Sequence, residues 1–395
     1  MYCAYYEDAR CRSCTELPLP YAVQLAVRQA SVRSVLDPLG AWKWLDPAHS
    51  AESGFRNKAK MVVSGSIEAP RLGILDITGA GIDLTRCPLY PPAMHAAFAP
   101  IADFLARARV EPYALTARRG EVKYVLLTLA EHSGELMLRF VLRSQEPLDR
   151  MRKLLPTLYA QLPGLRVTTV NLLPEHKAVT EGDIEIPMSA QQMLRMQLNG
   201  LPLYVQPRSF FQTNSGVAAQ LYLQARDWAQ TIAAKSIWDL YCGVGGFALH
   251  CAPAAASVIG IESSAVAVAS AMRSRAELDL TRLRFLVADA SDPSALPDEH
   301  PQLLIVNPPR RGLGPGLSDW IEASQVQHLI YSSCNAESLA RDLRRMPSLE
   351  RREARLFDMF PHTRHTEVAV LLSRVNASPS APSTLVFPAT PLAAQ

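Results

Sequence analysis

From residue 236 the chain settles into a repeating unit of short apolar run, turn and helix-length segment. Ser236-Ile-Trp-Asp-Leu240 runs into a glycine turn and an apolar helix reaching Cys251. Val258-Ile-Gly-Ile-Glu262 follows, then an alanine-rich helix to Leu278. Arg284-Phe-Leu-Val-Ala288, Leu303-Leu-Ile-Val306 and His328-Leu-Ile-Tyr-Ser332 continue the rhythm, and Val368-Ala-Val-Leu-Leu372 is a late strand. Strands that are apolar throughout need cover on both faces, and helices between them dictate parallel crossovers. The pattern predicts an α/β region with a doubly wound, Rossmann-like sheet, its ligands at the carboxyl ends of the strands.

The first half has a different texture. Residues 18–37 carry apolar side chains at helical spacing after a proline start. Short alternating runs then read as strands: Lys60–Ser64, Leu72–Leu75, Lys123–Thr128, Glu135–Leu142 and Arg166–Asn171. Helical segments at 92–108 and 147–162 interrupt them. The expected organisation is a cysteine-bearing segment, 1–90, that contributes to a central α+β domain rich in antiparallel strands, 91–205. The Rossmann-like domain takes 206–376, and a disordered Ala/Ser/Pro-rich tail takes 377–395.

No apolar run approaches the roughly 20 residues that cross a bilayer, and the N-terminus lacks a secretion signal. A cytoplasmic protein without membrane partners is expected. A net charge of +3 announces no polyanion by itself. Local clusters offer phosphate contacts: Arg56, Lys58 and Lys60; Arg118, Arg119 and Lys123; Arg310 and Arg311; and the arginines between Arg341 and Arg355. Each could equally be a solvated face.

The chemistry lies in five places. Asp239-x-x-x-Gly243-x-Gly245-Gly246 ends a strand and opens a helix, a turn whose free N–H groups suit a nucleotide-type cofactor. Glu262 ends the next strand, where a carboxylate suits two ribose hydroxyls, and Asp289 could take an adenine amino group. Asn307-Pro308-Pro309-Arg310 stiffens the loop after the fourth strand. Cys334, between Ser333 and Asn335, falls after the fifth strand, where polar neighbours and a following helix start should favour the thiolate. Glu367 begins the last strand and could reach the same cleft as a base. His362, His365 and Glu367 together could also suggest a metal, but no further histidine cluster supplies ligands. At the other end, Cys3, Cys11, Cys14 and Cys87 offer four soft ligands for zinc or an iron–sulfur cluster, and spacing does not separate these.

Gly54-Phe-Arg-Asn-Lys-Ala-Lys60, Gln206-Pro-Arg-Ser-Phe-Phe-Gln-Thr-Asn214, the Asp239–Phe247 turn, Asn307–Arg310, Tyr331-Ser-Ser-Cys-Asn335 and Phe357–His365 together resemble the adenosylmethionine-dependent RNA uracil-5 methyltransferases. The resemblance covers nearly the whole chain. It implies a 4Fe–4S cluster on Cys3, Cys11, Cys14 and Cys87, and adenosylmethionine contacts from Gln212, Tyr241, Glu262 and Asn307. It also implies a nucleophile at Cys334, a proton-abstracting base at Glu367, and a monomer acting on a loop uridine of 23S ribosomal RNA rather than on DNA. Relatives often carry a shorter gap and Gly-Gly in the first cysteine motif, and Phe at position 241, where this chain has seven residues, Arg12-Ser13 and Tyr241. Two rival readings are an amino-methyltransferase, which would want an aromatic residue where Arg310 stands, and a zinc-stabilised RNA-binding protein without catalysis.

Overall fold

The computed structural model describes residues 1–176 and 179–374, so the tail expected to be disordered lies outside the described residues. The N-terminal segment holds α1 (Ala4–Glu7), α2 (Tyr21–Leu36) and β1 (Lys43–Trp44). It divides between two bodies. Cys3 and Tyr5 bury into the central core. Leu25, Val32 and Leu36 of α2 bury into the C-terminal core instead, and β1 joins the C-terminal sheet beside Glu353 and Ala354. The segment 1–90, expected to contribute to the central domain, thus supplies buried residues to the C-terminal body as well. The cause is the stripe Leu25, Val32 and Leu36, which packs on the far sheet, with Gln24 and Arg28 buried beside it.

The central domain runs β2 (Lys58–Gly65), β3 (Pro70–Leu75), β4 (Gly81–Asp83), α3 (Pro92–Arg107), β5 (Val122–Ala130), β6 (Glu135–Leu142), α4 (Leu148–Gln161), β7 (Leu165–Leu172) and β8 (Ile184–Pro187). Its seven strands lie in the order β4-β3-β2-β5-β6-β7-β8. All neighbours are antiparallel except β6 and β7, which α4 connects as a crossover. Met94, Phe98, Ile101 and Leu105 of α3 and Met151, Leu155 and Leu158 of α4 bury one face of the sheet. A hairpin of β9 (Leu194–Leu198) and β10 (Leu201–Val205) follows. Its two-residue turn is Asn199-Gly200, both at positive φ (51° and 80°), the conformation that matches strand twist and favours this pair.

The C-terminal domain contains α5 (Ser215–Ile232), β11 (Ser236–Leu240), α6 (Gly246–Cys251), β12 (Ser257–Glu262), α7 (Ala265–Glu277), β13 (Leu283–Val287) and β14 (Leu303–Val306). It ends with α8 (Pro315–Ala323), β15 (His328–Ser333), α9 (Ala336–Leu343), β16 (Leu349–Phe357) and β17 (Glu367–Arg374). The sheet order is β1-β16-β17-β15-β14-β11-β12-β13. The strands from β15 to β13 are parallel, as the apolar runs predicted, and β17 turns back antiparallel against both β15 and β16. All four residues of β14 are buried, because helices cover both faces.

Candidate active site

β11 lies between β12 and β14, so its carboxyl end is the point where strand order reverses and a crevice opens. Register fixes what gathers there. Leu240 is level with Ile261 and Val306, and Val306 with Tyr331. The residues that follow these positions, Tyr241, Glu262, Asn307 and the Ser332–Cys334 segment, therefore share one edge.

The Gly loop is shaped by two different needs. Tyr241, Gly243 and Gly245 all take left-handed φ (60°, 53° and 86°). A Cβ on Gly245 would stand 2.7 Å from the Phe285 ring, and one on Gly246 would stand 2.4 Å from Tyr222. Those two glycines serve packing. Of the three loop glycines, Gly243 alone would give a Cβ that meets nothing within 4 Å, so this is where the loop backbone faces open space. The Gly243 N–H donates to the Glu262 carboxylate at 3.1 Å, and Ser264 N–H donates to it at 2.8 Å. Asp239 is wholly buried beneath the loop. One of its oxygens accepts the Ala248 N–H at 2.9 Å, the other has no partner among the described residues, and burial pushes the carboxyl up to about 8. The Asn307 and Gln212 side-chain amides make no hydrogen bond within the described residues. The Gln212 carbonyl accepts from Asn57 Nδ2 at 3.0 Å, and the same amide reaches Ser215 Oγ at 2.7 Å. Asn57 thus fastens the loop before α5 to β2 of the central domain, a link its motif did not reveal. Asp289 is exposed and closed on itself, accepting from Ser291 N and Oγ, which hold its carboxyl below the usual range.

Cys334 is half-buried at the end of β15. The antiparallel register pairs Ser333 with Val368 and Ser332 with Ala369, so Glu367, the first residue of β17, stands across from Cys334. Ser332 Oγ donates to the Glu367 carboxylate. Burial pushes Glu367 up to about 7, with the Ser332 hydrogen bond opposing. Burial, then the Glu367 charge, also push the Cys334 thiol up, and the Arg310 guanidinium is the neighbour that opposes them. Asn335 Oδ1 takes two of the α9 N-terminal amides itself, accepting from Glu337 N at 3.0 Å and Ser338 N at 3.4 Å. Burial and the Glu367 charge thus work against the thiolate that the sequence reading expected these neighbours to favour.

Arg310 Nη2 lies 3.1 Å from His365 Nδ1, and Asn335 Nδ2 donates to the Arg310 carbonyl at 3.3 Å. Arg310, read in sequence as a phosphate contact, is thus a neighbour of the thiol. A cleft of about 560 Å³ opens beside it, walled by Cys334, Arg310, His365, Arg364, Glu16 and Arg28. His362 turns away from His365 and Glu367, reaching the Glu52 carbonyl at 2.7 Å.

Cys3, Cys11, Cys14 and Cys87 line a single cavity of about 200 Å³ together with Arg56 and Lys60. Burial pushes the Cys14 and Cys87 thiols up to about 12 and about 11, with the other cysteines adding to it. No group of three among the described residues stands close enough to grip a single metal ion. Several expected phosphate contacts are otherwise engaged. Lys123 is buried and donates to the Glu175 carbonyl at 2.7 Å. Arg345 pairs with Asp319, Arg351 binds the Leu343 and Leu349 carbonyls, and Arg355 reaches Asp46 O and Gln224.

A crevice at the switch point, an acid ending the second strand and an open glycine define a nucleotide-cofactor methyltransferase fold. The structure of Pyrococcus abyssi tRNA (uracil-54, C5)-methyltransferase in complex with S-adenosyl-L-homocysteine has this fold, with a TM-score of 0.77 and 24% identity over 91% of this chain and 85% of that one. The family profile described as tRNA (Uracil-5-)-methyltransferase matches residues 294–375. Over 95% of this chain and the full length of each relative, identity is 49% to the 23S rRNA (uracil(747)-C(5))-methyltransferase RlmC of Edwardsiella ictaluri and 48% to that of Escherichia coli O157:H7 (strain EC4115 / EHEC). The chain belongs to the RNA uracil-5 methyltransferase family and is an adenosylmethionine-dependent transferase. No helix among the described residues is long and apolar enough to cross a membrane.

Proposed function

We propose that this enzyme methylates C5 of uridine 747 in 23S ribosomal RNA, in the cytoplasm. The substrate follows from full-length similarity to relatives that carry that name. The chemistry follows from one observation: strand register sets a cleft-facing cysteine across from a buried carboxylate.

The target uridine leaves its stack to enter the cleft, since C5 and C6 are shielded within a helix. Cys334, its proton released to solvent, adds to C6 as the thiolate, and the ring electrons it displaces make C5 nucleophilic. Adenosylmethionine, when bound, supplies an electrophilic methyl group. Once C5 has been methylated, Glu367 takes the C5 proton, the C5=C6 bond re-forms and Cys334 leaves as thiolate. Arg310 favours the thiolate at both ends of this cycle.

Gln212, Tyr241, Glu262 and Asn307 are the residues that would hold the methyl donor. The open space at Gly243, the unpartnered Asp239 oxygen below it and the free Asn307 and Gln212 amides fit a nucleotide there. The four cysteines would hold a 4Fe–4S cluster. Four thiols lining one cavity suit such a cage, and its iron would stabilise the thiolates that burial disfavours.

Cys334→Ala is expected to bind adenosylmethionine normally and to give no methylated RNA. Glu367→Gln is expected to trap a protein–RNA adduct that survives a denaturing gel. A fully active Cys334→Ala enzyme would exclude the covalent route. Mapping labelled methyl groups in total RNA from a strain lacking this protein tests the substrate, and a label on transfer RNA would redirect it.

A further inference from the structure

Two polar side chains are buried in α2 where the sequence read as an ordinary amphipathic helix. Gln24 is 1% exposed and Arg28 is 3% exposed, one turn apart on the same face. Both face the loop between β16 and β17, which carries His365 toward Arg310 and ends at Glu367. Arg28 Nη1 donates to the Phe360 carbonyl at 3.2 Å and the Thr363 carbonyl at 3.1 Å, and pairs with Asp358 at 2.9 Å. Gln24 Oε1 accepts the His362 N–H at 3.0 Å, while its Nε2 donates to His362 Nδ1 at 3.2 Å and to the Leu19 carbonyl at 2.8 Å. His362 is held at φ 64°, a left-handed conformation that a β-carbon disfavours and that this web sustains. Tyr21 OH donates to the other Asp358 oxygen at 2.6 Å and accepts the Ser50 N–H at 2.9 Å. The loop thus has its carbonyls, one backbone amide and one side chain fixed from α2, just before the chain enters β17.

We propose that Arg28 and Gln24 are positioning residues for Glu367: they hold the 358–366 loop so that the carboxylate faces the target carbon when the proton must leave. This inference rests on Glu367 being the base. Neither residue touches the reacting atoms, and neither is expected to matter for holding the methyl donor, which the opposite loops contact. Their loss should act on one step, release of Cys334, and leave the earlier addition intact.

That selectivity makes the test specific. Arg28→Lys keeps the charge that Asp358 and Glu16 need, because a neutral residue would leave buried carboxylates unpaired, but its single nitrogen cannot reproduce a guanidinium whose Nη1 donates to both loop carbonyls while Nε donates to the Gln24 carbonyl. Gln24→Leu is a second variant that leaves the ion pairs untouched. Each full-length variant is mixed with adenosylmethionine and 23S ribosomal RNA from a strain lacking this protein. The expected result is turnover reduced by a factor on the order of ten to a hundred, adenosylmethionine affinity within about twofold of the parent, and a covalent protein–RNA adduct that accumulates on a denaturing gel. Glu367→Gln is run alongside. If that variant forms no adduct, the assignment of the base fails. If it does form one, but the α2 variants either turn over like the parent or lose activity without accumulating adduct, the positioning role is overturned.

Discussion

Glu367 is the residue where structure and chemistry meet most sharply. An ordinary glutamate titrates near 4.5, and burial moves this one to about 7. As a base it must be ionised, so turnover is expected to fall by about tenfold for each pH unit below 7, once the methyl-transfer step no longer limits. A pH profile of single-turnover product release checks this; a flat profile between pH 5 and 7 would contradict it. The same shift has a consequence for stability. The folded state holds this proton more tightly than the unfolded chain, so its contribution to stability declines as pH rises from 4.5 to 7 and stays diminished above that. Glu367→Gln should therefore raise the melting temperature more at pH 8 than at pH 5. Cys334 and Glu367 were both legible in the sequence as candidates, one just after an apolar run and the other just before one. Their opposition was not, because it depends on the register of two strands far apart in the chain. Nor was the upward push on the Cys334 thiol, since polar neighbours in sequence say nothing about burial or about Asn335 taking up helix amides.

At the scale of elements, what could be read was set by how completely each one is buried. Strands β11 and β14 match the apolar runs residue for residue, because they lie in the sheet centre with both faces covered. β16 escaped notice. Its arginines and glutamates alternate with buried Ala354 and Leu356, so the segment read as a basic patch although it forms a strand between β1 and β17. The glycine loop was legible as a turn, but not which glycine serves which purpose, since that is decided by Phe285 and Tyr222 arriving from elsewhere. This division can be measured. Gly243→Ala places a methyl in open space and suffers only the left-handed backbone, a loss of about 1 kcal/mol, with weaker adenosylmethionine binding because the methyl enters the crevice. Gly245→Ala combines the same backbone penalty with a Cβ 2.7 Å from Phe285, and is expected to destabilise by roughly 2–4 kcal/mol. Denaturant melts alongside isothermal titration separate the two. Equal stability losses would mean that Phe285 yields without cost.

At the scale of the molecule, the cysteine-bearing segment and the loop before β17 are joined through one histidine. Two residues after Cys14 stands Glu16, whose N–H donates to the His362 carbonyl at 2.9 Å. On the other side of the cysteines, the Met1 ammonium binds the Glu52 carboxylate at 2.9 Å, and the Glu52 carbonyl accepts from His362 Nε2 at 2.7 Å. The segment that would wrap the cluster is thereby attached to the loop before Glu367 from both directions. Order in one should pass to the other through short, buried hydrogen bonds. An unfilled cavity lined by thiols gives residues 1–14 little to fold around, because α1 is a single turn and cannot stand alone. With the proposed cluster in place, removing its iron with a chelator is therefore expected to speed hydrogen exchange at residues 15–19 and 360–366, while α7, which packs in the other layer of the C-terminal domain, keeps its protection. Adenosylmethionine binding should survive, and RNA adduct should accumulate as is expected when Glu367 is replaced. Exchange that rises only around the cysteines, with the 360–366 amides unchanged, would show that the cluster serves its own surroundings and has no bearing on the base.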